Sequence, residues 1–355
     1  MGVEIVAVSV GGMEYRGWRS MSVRYGARSP ERSFQVVGAI GDEGPAAAAF
    51  AINLNDPCVL TSNGDVLVVG RITEIEIDLE AEEHAIKLTG KSRGADAVKS
   101  SVDHPTHEWK NKDALDVAKS IDTSGIGYKT DEKLRKFDKI RCNVGDTQMK
   151  ALQKIIGKDG LWLTGTEDGG IIITKHGKHR HAGGLIEGEN AMKVKATFSS
   201  EDRMEKVKVK SHVPKGADTK EWRSKGEATD SGGRPGTVKV IVPKASMKPD
   251  EAKAHAENVA DNRHGDSVKC SCQTQGFRDL GGRIWQPGWL VWCEVPSARL
   301  AHDLCVDTIE LTQDQEPQGS VAHLTLVKPE ALGGKGGKSG SKSAKAPSYK
   351  GWKAR

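Results

Sequence analysis

Thr61-Ser62-Asn63-Gly64-Asp65 separates two apolar runs with an Asn-Gly pair. Both central positions of such a turn take positive φ readily, which makes this stretch the strongest short-range hairpin signal in the chain. Working outward, Ile75, Ile77 and Leu79 alternate with Glu74, Glu76, Asp78 and Glu80, and Val6, Val8 and Val10 alternate with smaller residues. A period of two sets one face of a strand on a core and leaves the other wet. Phe34 to Ile40 is mostly apolar, and a second reversal fits Ala81 to His84. Residues 1–92 are therefore expected to form a small antiparallel barrel or sandwich.

Beyond Gly90 the spacing turns helical. Leu115, Ala118 and Ile121 follow Asn111 and Asp113, with Gly125 as a stop. A second helix is expected with Asp146 as its cap, a stripe of Met149, Leu152 and Ile156, and Gly157 or Gly160 ending it in a left-handed conformation. Leu161 to Thr164 and Ile171 to Thr174 flank Glu167-Asp168-Gly169-Gly170 as a hairpin and complete an α+β unit. Alternation returns at Val194, Ala196 and Phe198 and again at Val207 and Val209, whereas His212 to Arg234 is rich in Lys, Gly, Ser and Asp and reads as a long exposed loop. A third helix is expected from Pro249 through Ala252, Ala256 and Val259 to Gly265, with Asp250, Glu251 and Arg263 placed to suit its dipole. Strands follow at Val268 to Thr274, Trp289 to Val295, Leu304 to Leu311 and Val321 to Val327. The expected fold class is a β-rich α+β chain. It divides into a first β-unit at 1–92, an α+β unit at 93–185 with 236–275 as a candidate addition, a second β-unit at 186–235 and 276–330, and a disordered basic tail at 331–355.

With 355 residues, the chain is too long for one small core. A hydrophobic content of 36%, a charged content of 28% and 41 glycines fit a globular, turn-rich protein. Met1 to Val10 lacks a basic leader and reads as a strand and not as a signal peptide, and no apolar run is long enough to span a bilayer. The net charge of +5 is unevenly placed. Lys335, Lys338, Lys342, Lys345, Lys350, Lys353 and Arg355 are all in the tail with no acidic residue, so removing those seven positive charges leaves −2 on the rest. A mildly acidic body argues against a dedicated nucleic-acid binder, which carries a cationic stripe on its folded surface.

No motif for chemistry stands out. His176, His179 and His181 are the best metal candidates, yet Lys178 and Arg180 stand between them and no Cys or acid completes a set, so a solvated basic loop is the expected reading. Cys270 and Cys272 share one face of a strand and read as buried structural thiols, and six cysteines scattered through a long chain do not make a disulfide framework. Glu74, Glu76, Asp78 and Glu80 read as the wet face of a strand, since a glycosidase pair needs a cleft and one carboxyl held protonated. Trp285, Trp289 and Trp292 could stack bases or sugars, but strand geometry sends Trp289 and Trp292 to opposite faces, and core or subunit packing is the expected role. No catalytic residue, cofactor or metal ligand is assigned.

Several stretches, taken in order, resemble the hub protein of Mu-like contractile phages, the tail protein P family related to the hub part of type VI secretion and pyocin spikes. They are Gly90 to Val98, His104-Pro105 with Trp109, Val144-Gly145-Asp146-Thr147, Gly160-Leu161-Trp162-Leu163, Ile186 to Asn190, Trp285 to Val295, and Leu324-Thr325-Leu326 with Pro329. The resemblance spans about Val3 to Leu332. It implies a structural, non-enzymatic homotrimer in the baseplate of the virion, assembled in the bacterial host cytoplasm. Each subunit then contributes two tail-tube-like antiparallel β-barrel domains with the α+β domain between them. The resulting pseudo-sixfold ring joins the hexameric tail tube to the trimeric spike around a channel for DNA ejection. Implied partners are a separate trimeric tail spike protein, the tail tube or tube-initiator protein, other baseplate proteins, and genomic DNA passing without sequence-specific binding. Needle repeats of the type VI spikes are not found after Leu332, hence the separate spike. The alternatives are a tail-associated peptidoglycan hydrolase and a nucleic-acid binder acting through its tail, whose seven basic residues are the candidate contacts with partner or DNA. On the nucleic-acid-binding alternative, deleting Gly333 to Arg355 is expected to abolish binding, while particle assembly fails only if the tail also has a structural role.

Overall fold

The computed structural model describes residues 4–39, 52–79, 84–212, 223–243, 247–314 and 319–334. The N-terminal strands are β1 (Val6–Val10), β2 (Met13–Tyr15), β3 (Ser20–Gly26), β4 (Ser33–Ala39), β5 (Pro57–Ser62), β6 (Asp65–Leu79) and β7 (His84–Ser92). Ser62 pairs with Asp65 across the expected turn, and Asn63 and Gly64 take φ of 49° and 86°. Val6, Val8 and Val10 are buried, as their alternation requires. Of the second expected reversal, residues 81–83 lie outside the described residues, as does Ile40.

The middle of the chain runs α1 (Gly94–Lys99), β8 (Glu108–Lys112), α2 (Ala114–Ile121), β9 (Tyr128–Thr130), β10 (Phe137–Arg141), α3 (Gln148–Ile156), β11 (Trp162–Gly165) and β12 (Ile171–Thr174). In α2 the Asp113 side chain accepts the Asp116 N–H at 2.9 Å, which satisfies one orphan donor of the first turn. Val117, Ala118 and Ile121 then face a core shared with Leu152, Ile156, Leu163, Ile171 and Ile173. The expected cap of α3 needs correction. Thr147 is the cap, accepting from the Lys150 N–H, while Asp146 turns inward, accepts the Asn143 N–H at 3.1 Å and pairs with Lys154. That lysine is the largest influence holding the Asp146 carboxyl down at about 2. The hairpin β11–β12 forms as expected and adds β9 in parallel, a long-range pairing that local periodicity does not signal.

The remaining elements are β13 (Arg180–Ile186), β14 (Lys193–Phe198), β15 (Met204–His212), β16 (Arg223–Thr229), β17 (Arg234–Ile241), α4 (Pro249–Asp266), β18 (Val268–Gln275), β19 (Leu290–Val295), β20 (Leu300–Asp314) and β21 (Gly319–Val327). The expected loop from His212 to Arg234 is corrected in part. Residues 213–222 lie outside the described residues, but Arg223–Thr229 pairs antiparallel with β15, and β17 lies along the other side. This small sheet carries α4 on one face, where Val207 and Val209 meet Ala252, Ala256 and Ala260. The helix lies so near that a Cβ on Gly226 would come within 2.1 Å of the Ala252 backbone. A strand under such an approach needs small inward residues, and its polar, glycine-bearing sequence therefore imitates a loop.

The two β-units pool their strands. Thirteen form one sheet in the order β14-β18-β21-β20-β3-β4-β7-β6-β5-β1-β2, with β13 and β19 joined to the first half of β20. Among the described residues this is an open path and not two closed rings. The protein is thus a β-rich α+β chain with one large core drawn from both ends of the sequence, a second under the central helices and a third under α4.

His176 ties the central unit to the first β-unit. Its Nε2 donates to the Ala27 carbonyl at 2.9 Å and lies 3.0 Å from the Thr164 hydroxyl, and burial pushes its pKa down to about 4. The folded state then holds fewer protons on this ring than the unfolded chain between the ordinary histidine value and 4, so the ring's contribution is full above about pH 6.5 and is lost as pH falls towards 4. His176→Gln is expected to flatten the fall in urea midpoint between pH 7 and 5 relative to the unaltered chain. Separately, Gly226→Ala is expected to lower stability by about 1–3 kcal/mol in urea unfolding, the usual range for a side chain forced into a closed contact.

Candidate assembly interface

The junction between the β-units is a seven-residue antiparallel ladder, from Ser20 opposite Asp314 to Gly26 opposite Thr308. Its inner face stacks Met21, Val23 and Tyr25 beside Ile309 and Leu311, all buried. Each large apolar side chain removed from water there contributes about 1.5–3 kcal/mol. The Tyr25 hydroxyl donates to the Trp285 carbonyl at 2.8 Å, so the seam is also tied to the segment before β19.

Two arginines fix the central unit and α4 to this seam. Buried Arg32 donates from Nε to the Gly165 carbonyl and from Nη1 to the Leu67 carbonyl, each at 3.0 Å, and lies 3.6 Å from Glu167. Its guanidinium stands 4.5 Å from the Tyr25 ring centroid, a cation–π contact that partly replaces the lost water. Arg28 reaches Asp266 at 2.7 Å, at the end of α4, and Asp307 at 3.1 Å in β20.

The histidine cluster departs from the expected solvated loop. His176 and His181 are buried and only His179 is exposed. They face different partners. His181 donates from Nδ1 to Asp279 at 2.9 Å, and its Nε2 accepts the Gln286 N–H at 3.1 Å, while His176 is engaged with Ala27 as above. The misreading has a physical cause: the intervening Lys178 and Arg180 reach outward to Asp131 and Asp303 and make the stretch look solvated in sequence. Trp285 is buried in the large core, whereas Trp289 and Trp292 are partly exposed and Trp292 Nε1 donates to Glu294 at 3.1 Å. All six cysteines are unpaired, and burial pushes the thiols of Cys270 and Cys272 up to about 11 and about 12.

A cleft of about 230 Å³ opens between Arg32, Glu167, His176 and Trp289, and in it Glu167 is engaged with Arg32 and Asp131 with Lys178. The open features of the fold are strand edges. Beyond its bulge between Ile72 and Glu74, β6 pairs with β7 on one edge only, and β14 ends the sheet path. Period two put Ile75, Ile77 and Leu79 on a core face. Ile75 packs there, but Ile77 and Leu79 stay exposed, because no described strand continues the sheet beside them. The tail residues Lys335, Lys338, Lys342, Lys345, Lys350, Lys353 and Arg355 lie outside the described residues.

Known proteins agree with this architecture. Residues 5–92 match the family of the Mu phage baseplate assembly protein GpP-like N-terminal domain, and residues 94–175 match the second domain of the baseplate hub protein gp44-like family. No curated protein matches the sequence. Among solved structures, the 43 kDa tail protein of prophage MuSo2 from Shewanella oneidensis is similar with a TM-score of 0.79 at 20% identity, over 93% of this chain and 100% of that one. A tail protein from Neisseria meningitidis MC58 is similar with a TM-score of 0.79 at 18% identity, over 93% and 98%. The E. coli c3393 protein, a type VI secretion component described as similar to the T4 tail proteins gp27 and gp5, has a TM-score of 0.58 at 9% identity, over 90% and 76%. These structures share the fold, and no helix among the described residues is long and apolar enough to cross a membrane. Residues 5–92 and 94–175 are thus the matched domains of the Mu phage GpP-like and gp44-like baseplate hub proteins.

Proposed function

We propose that three copies of this chain form a ring in the baseplate that joins the hexameric tail tube to a trimeric spike and leaves a passage for DNA. One observation carries this reading: the two β-units repeat the same strand path. The order β3-β4-β7-β6-β5-β1 is matched, strand for strand, by β14-β18-β21-β20-β19-β13. In each unit a 15-residue strand, β6 or β20, pairs with one neighbour over its first half and another over its second, with a bulge between. The units differ in one pairing, since β1 meets β5 antiparallel and β13 meets β19 parallel.

Two equivalent units per chain make six around a threefold axis, the arithmetic needed to fit a six-subunit tube on one side and a three-subunit spike on the other. In this reading residues 1–92 are one tube-like barrel unit, and β13, β14 and β18 to β21, within residues 180–198 and 268–327, supply the other. Residues 94–175, and the β15–β17 sheet with α4, stand apart from both units, and 335–355 form a basic tail that contacts a partner or DNA. The partners are the spike, the tube or its initiator, and other baseplate proteins. A body with net charge near −2 outside the tail favours passage of DNA without sequence-specific binding, because cationic walls capture phosphates and release counterions. Light scattering on the purified full chain is expected to report three times the 38.2 kDa chain mass at micromolar concentration; a stable monomer would overturn the ring.

A further inference from the structure

The bulges give the two β-units a common numbering. In β6 the bulge lies between Ile72 and Glu74, and in β20 between Val306 and Thr308, so Thr308 stands where Glu74 stands. Following the ladders outward from those residues, Thr308 pairs with Thr325, Thr325 with Ser271, and Ser271 with Lys195. In the first unit Glu74 pairs with Thr89, Thr89 with Gln35, and Gln35 with Ser22. Lys195 therefore occupies the position of Ser22. Ser22 is itself paired, across the seam between the units, with Thr312, whose counterpart in β6 is Asp78.

The seam inside the chain thus uses one of two equivalent pairs of edges, β3 with the second half of β20. The other pair is β14 with the second half of β6, and among the described residues neither edge has a strand paired to it. The consequences for burial are large. Tyr25 and Leu311, inside the made seam, are 2% and 0% exposed, while their counterparts Phe198 and Ile77 are 52% and 46% exposed. Leu79, next on the same face of β6, is 65% exposed.

We propose that Lys193–Phe198 of one copy pairs antiparallel with the second half of β6 in the next copy, Lys195 opposite Asp78. This rests on the ring reading above and names its contact. In this register Phe198 faces Ile75, Ala196 faces Ile77 and Val194 faces Leu79, so every apolar residue of one edge meets an apolar residue of the other. On the opposite face Lys195 meets Asp78 and Thr197 meets Glu76. The bulges alone fix this register, and both matches follow from it. A one-residue slip would set Lys195 against Ile77 or Leu79 and Thr197 against Ile75 or Ile77. Such a contact is head-to-tail, and a closing rotation turns it into a ring in which intramolecular and intermolecular seams alternate. It also covers two long edges that would otherwise template aggregation.

The test uses the full chain. Lys195→Asp alone, or Asp78→Lys alone, puts like charges opposite each other; a loss of about threefold per contact multiplies to more than tenfold over three contacts, read as trimer dissociation on dilution. Combining Lys195→Asp with Asp78→Lys is expected to restore the trimer. A second variant pair checks register. Lys195→Cys with Asp78→Cys is expected to give covalent dimers and trimers on a non-reducing gel after mild oxidation, and Lys195→Cys with Ile77→Cys, which points to the other face, is not. A trimeric parent whose assembly ignores the charge reversals, and whose facing cysteines do not cross-link, would sink this seam and leave the ring standing. A parent that is monomeric throughout would sink both.

Discussion

The antiparallel pairing of Ser20–Gly26 with the second half of Leu300–Asp314 is the constraint on which the rest of the molecule depends. It joins strands almost 300 residues apart and turns two half-sheets into one. Breaking it would expose Val23, Tyr25, Ile309 and Leu311 together with a row of unpaired backbone groups on both strands. The large core has contributions from both ends of the chain for this reason, and no single β-unit owns it.

The other elements are arranged around that seam. Arg32 and His176 hold the central α+β unit against the first β-unit by donating to main-chain carbonyls, and Arg28 holds the end of α4 against β20. Donating to main-chain carbonyls pairs these buried N–H groups without water, and buried arginine is tolerated only on those terms. Fixed in this way, the units can pass a load from one to the next, as suits a structural component of a contractile tail.

The side chains that invite a chemical reading are mostly occupied in holding the fold. His181 is fixed between Asp279 and Gln286, Glu167 answers Arg32, and Asp146 answers Lys154. The thiols at 270 and 272 are pushed up by burial and are poor nucleophiles. Among the described residues, strand edges and the apolar side chains of Ile77, Leu79 and Phe198 stay open on the surface, and these are means of assembly.

Local features were legible in the sequence because their causes are local. Asn63-Gly64 closes its hairpin, Asp113 caps α2, Pro249 opens α4, and the strands expected at Val268 to Thr274 and Val321 to Val327 form. The order of segments along the sequence resembles that of the hub family, and the matches over residues 5–92 and 94–175 agree. Other readings failed where a distant neighbour decided the outcome. Arg223–Thr229 looked like a loop because α4 lies on it and admits only small residues, and the histidines looked solvated because their partners, Ala27 and Asp279, lie far away in sequence. Alternation at Ile75, Ile77 and Leu79 showed that one face of β6 seeks a core, but not that the core stops at Ile75 within one chain. Periodicity reports which side of a strand is apolar; which strand lies beside it is a contact between remote segments, and only the tertiary structure specifies that.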